Sequence, residues 1–190
     1  MAKKIKKELI EWVVLIGVVL TLYFTGLHTE VIGMMQRVVL APGLIKPEVI
    51  ASSEQQDASY QFKLKDVNGD IVSFEKFRGK TIFLNLWATW CPPCVAEMPD
   101  INDLYGKMDS EKIVFVMISR DQDFDNAIQF SSKKEYSLPI YSEVSRLPSV
   151  FQTNSIPTTF VISPQGKIVV KKSGMASYDS EEFRDFLNSL

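Results

Sequence analysis

The stretch Trp87-Ala88-Thr89-Trp90-Cys91-Pro92-Pro93-Cys94 holds both cysteines of the chain. Just before it, Thr81-Ile82-Phe83-Leu84-Asn85-Leu86 is a near-continuous apolar run, and a short run of that kind reads as a buried strand. Just after it, Val95, Met98, Ile101, Tyr105 and Met108 recur at roughly helical spacing. The cysteine pair is therefore expected where a strand ends and a helix begins. Three residues is about one helical turn, so the two sulfurs come within reach of one another.

Composition narrows what the pair can do. The chain has 190 residues, 46% of them apolar, enough for one domain with a sizeable core plus additional segments. A net charge of -2 gives no global pull toward nucleic acid. Two cysteines and the lone His28 cannot complete a four-ligand zinc site. His28 flanks an apolar segment, which argues against a Cys–His catalytic pair. Dithiol–disulfide exchange is what remains, and it needs no cofactor beyond a redox-active Cys91–Cys94 disulfide. A static structural disulfide is the alternative, but so short a loop removes little chain entropy.

Upstream, Lys3, Lys4, Lys6 and Lys7 precede a segment, 9–27, that is apolar apart from Glu11. That is about the length needed to span a bilayer. Trp12 near one end and Tyr23 and Phe24 near the other fit an aromatic belt, and the lysines place the N-terminus in the cytoplasm. A cleaved signal peptide is the rival reading. Thr25-Gly26-Leu27 is a poor cleavage site, which favours an uncleaved signal-anchor. Residues 1–8 are then a cytoplasmic basic segment and 28–56 a juxtamembrane segment and linker. Within the latter, Val31, Met34, Met35 and Val38 share a helical face that could lie on the membrane surface or pack on the domain. Pro42, Gly43 and Pro47 break it, and the polar stretch Val49 to Ser59 reads as a tether.

The domain is expected over 57–190. Tyr60, Phe62 and Leu64 alternate with polar residues, Asn68-Gly69 turns the chain, and Ile71, Val72 and Phe74 return it, giving a hairpin. The helix after the cysteines is expected to be interrupted and kinked at Pro99. Lys112 to Ser119 is a second buried strand and Asp123 to Tyr136 a helix. Leu138 to Tyr141 is a short strand, and Ser145 to Gln152 has room for a short helix with Pro148 in its first turn. Ile156 to Ile162 is a strand with Pro157 at its mouth, hairpinned onto Ile168-Val169-Val170. A final helix starts near Asp179, whose side chain would cap it while Glu182 completes a capping box. The order predicts an α/β sandwich with a mixed central sheet.

These residues resemble a known family. Phe83 to Cys94 (FLNLWATWCPPC), with Glu97 and Pro99 beyond, is similar to the thioredoxin superfamily, and more narrowly to its membrane-tethered TlpA/ResA group. Ile156-Pro157-Thr158-Thr159-Phe160 resembles that family's cis-proline loop. The resemblance covers about 57–190. It implies a thioredoxin-like three-layer sandwich with an N-terminal hairpin and a central insertion, preceded by one transmembrane helix. It also implies a thiol–disulfide oxidoreductase on the extracytoplasmic (periplasmic) side of a bacterial inner membrane. The enzyme would reduce disulfides in client proteins such as apocytochrome c, with electrons from a membrane thiol donor. A disulfide oxidase or isomerase, a peroxiredoxin-like peroxide reductase and a non-catalytic binding module are the alternatives.

The site follows from the same residues. Cys91, at a helix N-terminus that favours thiolate, is the expected nucleophile with its sulfur exposed, and Cys94 resolves the mixed disulfide. Pro92 and Pro93 stiffen the turn and supply no N–H to a thiolate. Trp90 abuts the site as a shield or client contact, while Trp87 reads as core. The resemblance makes Pro157 a cis-proline that presents the Ile156 backbone to a bound peptide. It also bears on Asn85, which stands where ordinary thioredoxins carry a buried aspartate. Asparagine cannot exchange a proton, so proton handling passes to Glu97, one turn beyond Cys94. The alternative for Glu97 is a solvated surface carboxylate.

Overall fold

The computed structural model describes residues 2–24, 27–40 and 45–190. Two helices lead, α1 (Ala2–Phe24) and α2 (Leu27–Leu40). Eight strands follow: β1 (Gln56–Asp57), β2 (Lys63–Lys65), β3 (Ile71–Ser73), β4 (Thr81–Trp87), β5 (Ile113–Ser119), β6 (Ile140–Glu143), β7 (Thr158–Ile162) and β8 (Lys167–Ser173). They form one mixed sheet in the order β1-β8-β7-β4-β5-β6-β2-β3. Three helices interleave with them: α3 (Pro92–Lys107), α4 (Phe124–Lys133) and α5 (Glu181–Ser189).

β4 lies at the centre because its seven residues are all buried and can be covered on both faces. It pairs parallel with β5, Asn85 opposite Met117, and antiparallel with β7, Asn85 opposite Thr159. Side chains alternate along a strand. Phe83, Trp87, Phe115, Met117 and Val161 therefore face α3, α4 and α5, where they meet Met98, Ile101, Leu104, Phe124, Phe183 and Leu187. Ile82, Leu84, Leu86, Val116, Ile118, Phe160 and Ile162 face the other way. No α-helix closes that side among the described residues. It is covered by the N-terminal hairpin region and the 3-10 turn Ser149–Phe151, through Tyr60, Phe62, Phe74, Phe77 and Phe151.

Several expectations are corrected. α3 runs unbroken through Pro99. An internal proline costs about 3 kcal/mol. Burying Met98, Ile101 and Leu104, each fully enclosed, contributes roughly 1.5–3 kcal/mol apiece and offsets it. The cap of α5 is Ser180, whose Oγ accepts from the Phe183 N–H at 3.2 Å. Asp179 instead pairs with Lys107 and Arg184, and Glu182 with Lys46, so cations displace the expected capping box. Ser149–Phe151 is only one 3-10 turn, with Pro148 at its N-cap.

The polar stretch 49–59 is laid along the sheet edge instead of standing off as a tether. The Ile50 N–H donates to the Val169 carbonyl, the Ala58 N–H to that of Gly166, and β1 pairs with β8. α2 packs on α3, one of the two placements left open by its sequence. Among the described residues no helix is long and apolar enough to cross a membrane. Residues 25 and 26, part of the expected span 9–27, lie outside the described residues, as do the side chains of 1–7 and 23–28.

Candidate active site

β4 ends at Trp87, at the C-terminal end of the central strand, and the next turn is pinned from the side. The Asp121 carboxylate, just past the end of β5, accepts the Thr89 N–H at 3.1 Å and the Thr89 hydroxyl at 2.5 Å. The Ser119 hydroxyl donates to Asp121 at 2.7 Å. This clamp fixes the loop carrying Trp90 and Cys91. It was missed from sequence because neither Thr89 nor Asp121 belongs to a recognisable spacing.

Cys91 is the N-cap of α3 and is joined to Cys94 by a disulfide, with Cα atoms 5.3 Å apart. The Cys94 N–H donates to Cys91 Sγ at 3.3 Å, so the sulfur takes the place of a capping oxygen. Pro92 and Pro93 occupy the first helical positions, where no N–H is needed. Cys91 Sγ also lies 3.7 Å from the Ile156 carbonyl oxygen. In the disulfide that is a contact; a reduced thiol there would donate to the same oxygen. The expected exposed sulfur is corrected: Cys91 is only 4% exposed, because it turns inward toward Cys94 and Ile156. Cys94 is fully buried.

The Ile156–Pro157 peptide is cis. Its loop is braced by the Thr158 hydroxyl donating to the Ser155 carbonyl at 2.8 Å and the Gly174 N–H donating to the Pro157 carbonyl at 2.9 Å. Trp90 is 58% exposed, Pro92, Pro93 and Ile156 are half-buried, and Pro157 is buried. Trp87 is core, packed on Phe130. The structure thus gathers Trp90, Cys91, Pro92, Pro93 and Ile156 around one partly open surface, with Pro157 as its floor.

Behind that surface lies a polar cluster sealed from water. Glu97 is 0% exposed, not the solvated carboxylate of the alternative reading. Its Oε1 accepts from Asn85 Nδ2 at 2.9 Å and its Oε2 from the Ala176 N–H at 3.2 Å. Asn85 Nδ2 also donates to Thr159 Oγ1 at 2.9 Å, and the Tyr178 hydroxyl donates to that oxygen at 2.8 Å. The strand register brings Asn85 and Thr159 together, and Glu97 meets them from α3. Burial pushes the Glu97 carboxyl up to about 8 against the two hydrogen bonds that favour its charge, and Asp100 raises it further. Burial likewise holds the Tyr178 phenol well above its ordinary value. Tyr178 had no motif to announce it; its place depends on a loop that folds back over α3.

Cys94 and Glu97 are separated by one turn on one helix, a spacing that sets Cβ atoms about 5–6 Å apart. A buried sulfur and a carboxyl able to change protonation near neutrality are thus adjacent. A cysteine pair beside a partly open surface, a backbone edge next to it and a buried carboxyl one turn behind it suit thiol–disulfide exchange.

Known proteins agree with that chemistry. Residues 56–171 match the AhpC/TSA family. The thiol–disulfide oxidoreductase ResA of Oceanobacillus iheyensis is 30% identical over 139 residues, covering 70% of this chain and 71% of that one. The ResA of Halalkalibacterium halodurans is 29% identical over 133 residues, covering 69% and 76%. A solved structure described as a putative thiol:disulfide interchange protein DsbE from Chlorobium tepidum superimposes with a TM-score of 0.62 at 22% identity. It covers 72% of this chain and 96% of its own, a likeness that shows the thioredoxin-like fold. The chain belongs to the AhpC/TSA family and is a thiol–disulfide oxidoreductase similar to ResA.

Proposed function

We propose that the protein is a membrane-tethered, extracytoplasmic reductase of disulfides in client proteins, apocytochrome c among the candidates, recharged by a membrane thiol donor. The observation that carries the chemistry is the Cys91–Cys94 pair set between the Ile156 carbonyl, 3.7 Å from Cys91 Sγ, and buried Glu97 one helical turn past Cys94. The basic start and the apolar segment 9–27 support the tether, as does α1, whose apolar residues from Leu9 to Leu20 stand exposed on every side.

In the reduced enzyme the Cys91 thiolate attacks one sulfur of a client disulfide, and the other client sulfur leaves as a thiolate and takes up a proton. Cys94 then gives up its proton and attacks Cys91 Sγ. The Cys91–Cys94 bond forms, the mixed disulfide breaks, and the second client sulfur leaves as thiol. Two electrons pass to the client. The role proposed for Glu97 is to receive the Cys94 proton in a site that water does not reach. Ile156 offers main-chain hydrogen bonding to an extended client segment, with Trp90, Pro92 and Pro93 around it.

The test is a Cys94→Ser variant, which lacks the resolving sulfur. It should accumulate a Cys91 mixed disulfide with clients that mass spectrometry identifies, and Cys91→Ser should accumulate none. Absence of any trapped species in the reduced protein would refute the reading. The direction is read from the reduction potential: a value near thioredoxin, about -270 mV, supports a reductant, and one near DsbA, about -120 mV, an oxidant.

A further inference from the structure

α2 is a two-sided helix, and its two sides face different things. Gly33 is buried against the first turn of α3. A Cβ added there would stand 3.2 Å from the Pro92 carbonyl oxygen, 3.3 Å from Val95 Cγ1 and 3.5 Å from the Ala96 nitrogen. The two helices therefore pack closely at the turn that carries the disulfide, and a side chain in place of Gly33 would be crowded there. Val95 and Ala96 are buried yet belong to neither apolar cluster of the sheet. Half-buried Gln36, three residues past Gly33, lies on the same side of α2.

The opposite side is apolar and bare. At about 100° per residue, Val31 and Met35 lie across the helix from Gly33, with Ile32 and Met34 at the two margins. Met34 is 62% exposed and Met35 67%, and Val31 and Ile32 are exposed beside them. Only residues 25 and 26 separate this helix from α1, whose exposed side chains from Leu9 to Leu20 are apolar on all sides apart from Glu11. Lipid is the matching solvent for both sets of exposed apolar side chains.

We infer that α2 lies in the membrane interface, with Val31, Ile32, Met34 and Met35 against lipid and Gly33 against α3, so that the redox turn is held at the bilayer surface and exchanges preferentially with dithiols presented there. A helix is about 10–12 Å across, so the Pro92 turn stands one helix diameter from the acyl chains. The inference rests on the membrane-tethered oxidoreductase reading and adds the surface that orients the site. Holding one partner at the plane of the other raises the effective concentration of membrane-borne thiols without any new contact at the sulfurs.

The experiment uses the full chain in phosphatidylcholine–phosphatidylglycerol vesicles that carry a phospholipid with a dihydrolipoyl headgroup. The lipid dithiol reduces the Cys91–Cys94 disulfide: two protein thiols form, the lipid becomes its cyclic disulfide, and two electrons move. Its rate is compared with that of dithiothreitol in solution. Met34→Glu/Met35→Glu should slow the lipid reaction about tenfold and leave the dithiothreitol rate unchanged. Gly33→Val, which forces α2 off Pro92 while keeping the apolar face, should do the same. Met34→Leu/Met35→Leu should retain the wild-type lipid rate. Equal lipid rates in wild type and both disrupting variants would overturn the inference and leave the oxidoreductase reading standing, as would parallel loss of both rates. A wild-type protein that fails to float with vesicles would overturn the tether and the inference together. One that fails to react with dithiothreitol would overturn the redox reading itself.

Discussion

The two faces of the central sheet are built from alternate residues of the same strands, and their chemistry differs. On one face Ile82, Leu84, Leu86, Phe160 and Ile162 meet a wall of aromatic rings, with Phe62 stacked on Phe74 at 4.3 Å and Phe151 edge-on to Phe160 at 5.3 Å. On the other face the same strands interrupt an apolar core with Asn85 and Thr159, to which α3 adds Glu97 and the final loop Tyr178. Buried polar groups are costly unless partnered, and this cluster is not fully partnered: Asn85 Oδ1 finds no hydrogen bond. The first face is organised for stability. The second accepts a cost at one place, and that place is directly behind the cysteines.

The sharpest way to break this comparison is to damage the apolar face and watch the chemistry. Phe74 is fully buried against Phe62, Phe77 and Phe151. Phe74→Ala should lose about 3–5 kcal/mol of stability in urea unfolding, while the folded fraction is reduced by dithiothreitol at the wild-type rate. A large change in that rate would mean the faces are not separable.

Glu97 gives the converse test, a change on the polar face that alters pH dependence. Its carboxyl lies near 8 in the folded chain, above the ordinary 4.5 of a glutamate in the unfolded one. The fold therefore favours the protonated form. The unfolded chain sheds that proton first as pH rises, so stability from this group is full below 4.5, falls between 4.5 and 8, and levels off above 8. The slope is about 1.4 kcal/mol per pH unit. Glu97→Gln removes the titration. Relative to wild type it should gain about 2 kcal/mol between pH 4.5 and pH 6, measured by chemical denaturation across that range. Parallel stability curves for the two proteins would refute a raised carboxyl.

In the sequence, Thr81 to Leu86 reads as a buried strand and Tyr60, Phe62 and Leu64 as one side of an alternating one, but which residues of the buried strand share a face is seen only in the packing. The strand–CPPC–helix order located the sulfurs, since every signal lay within a few residues. What could not be read depends on contacts distant in sequence. Tyr178 reaches Thr159 only because β8 and its loop return over α3. Asp121 clamps Thr89 from the end of a neighbouring strand. Pro99 read as a helix breaker, because local propensity takes no account of the burial of Met98 and Ile101. Asp179 read as a cap, because sequence does not reveal that Lys107 and Arg184 compete for its carboxylate.

The finest test lies at the far end of the polar cluster. The Tyr178 hydroxyl donates to Thr159 Oγ1 and is the outermost link; Asn85 stands between Thr159 and Glu97. Tyr178→Phe deletes one neutral donor and keeps the ring, which packs edge-on to Phe83 at 5.2 Å. Thr159 Oγ1 retains the Asn85 donor, so no buried acceptor is left bare, and the loss should be about 1 kcal/mol. Because the phenol also raises no charge of its own near neutral pH, the Glu97 pH profile should keep its shape and only shift down uniformly. A changed midpoint in that profile would mean that the cluster titrates as one unit through Thr159, and the boundary between structural and proton-handling groups would then move outward from Asn85 to Tyr178.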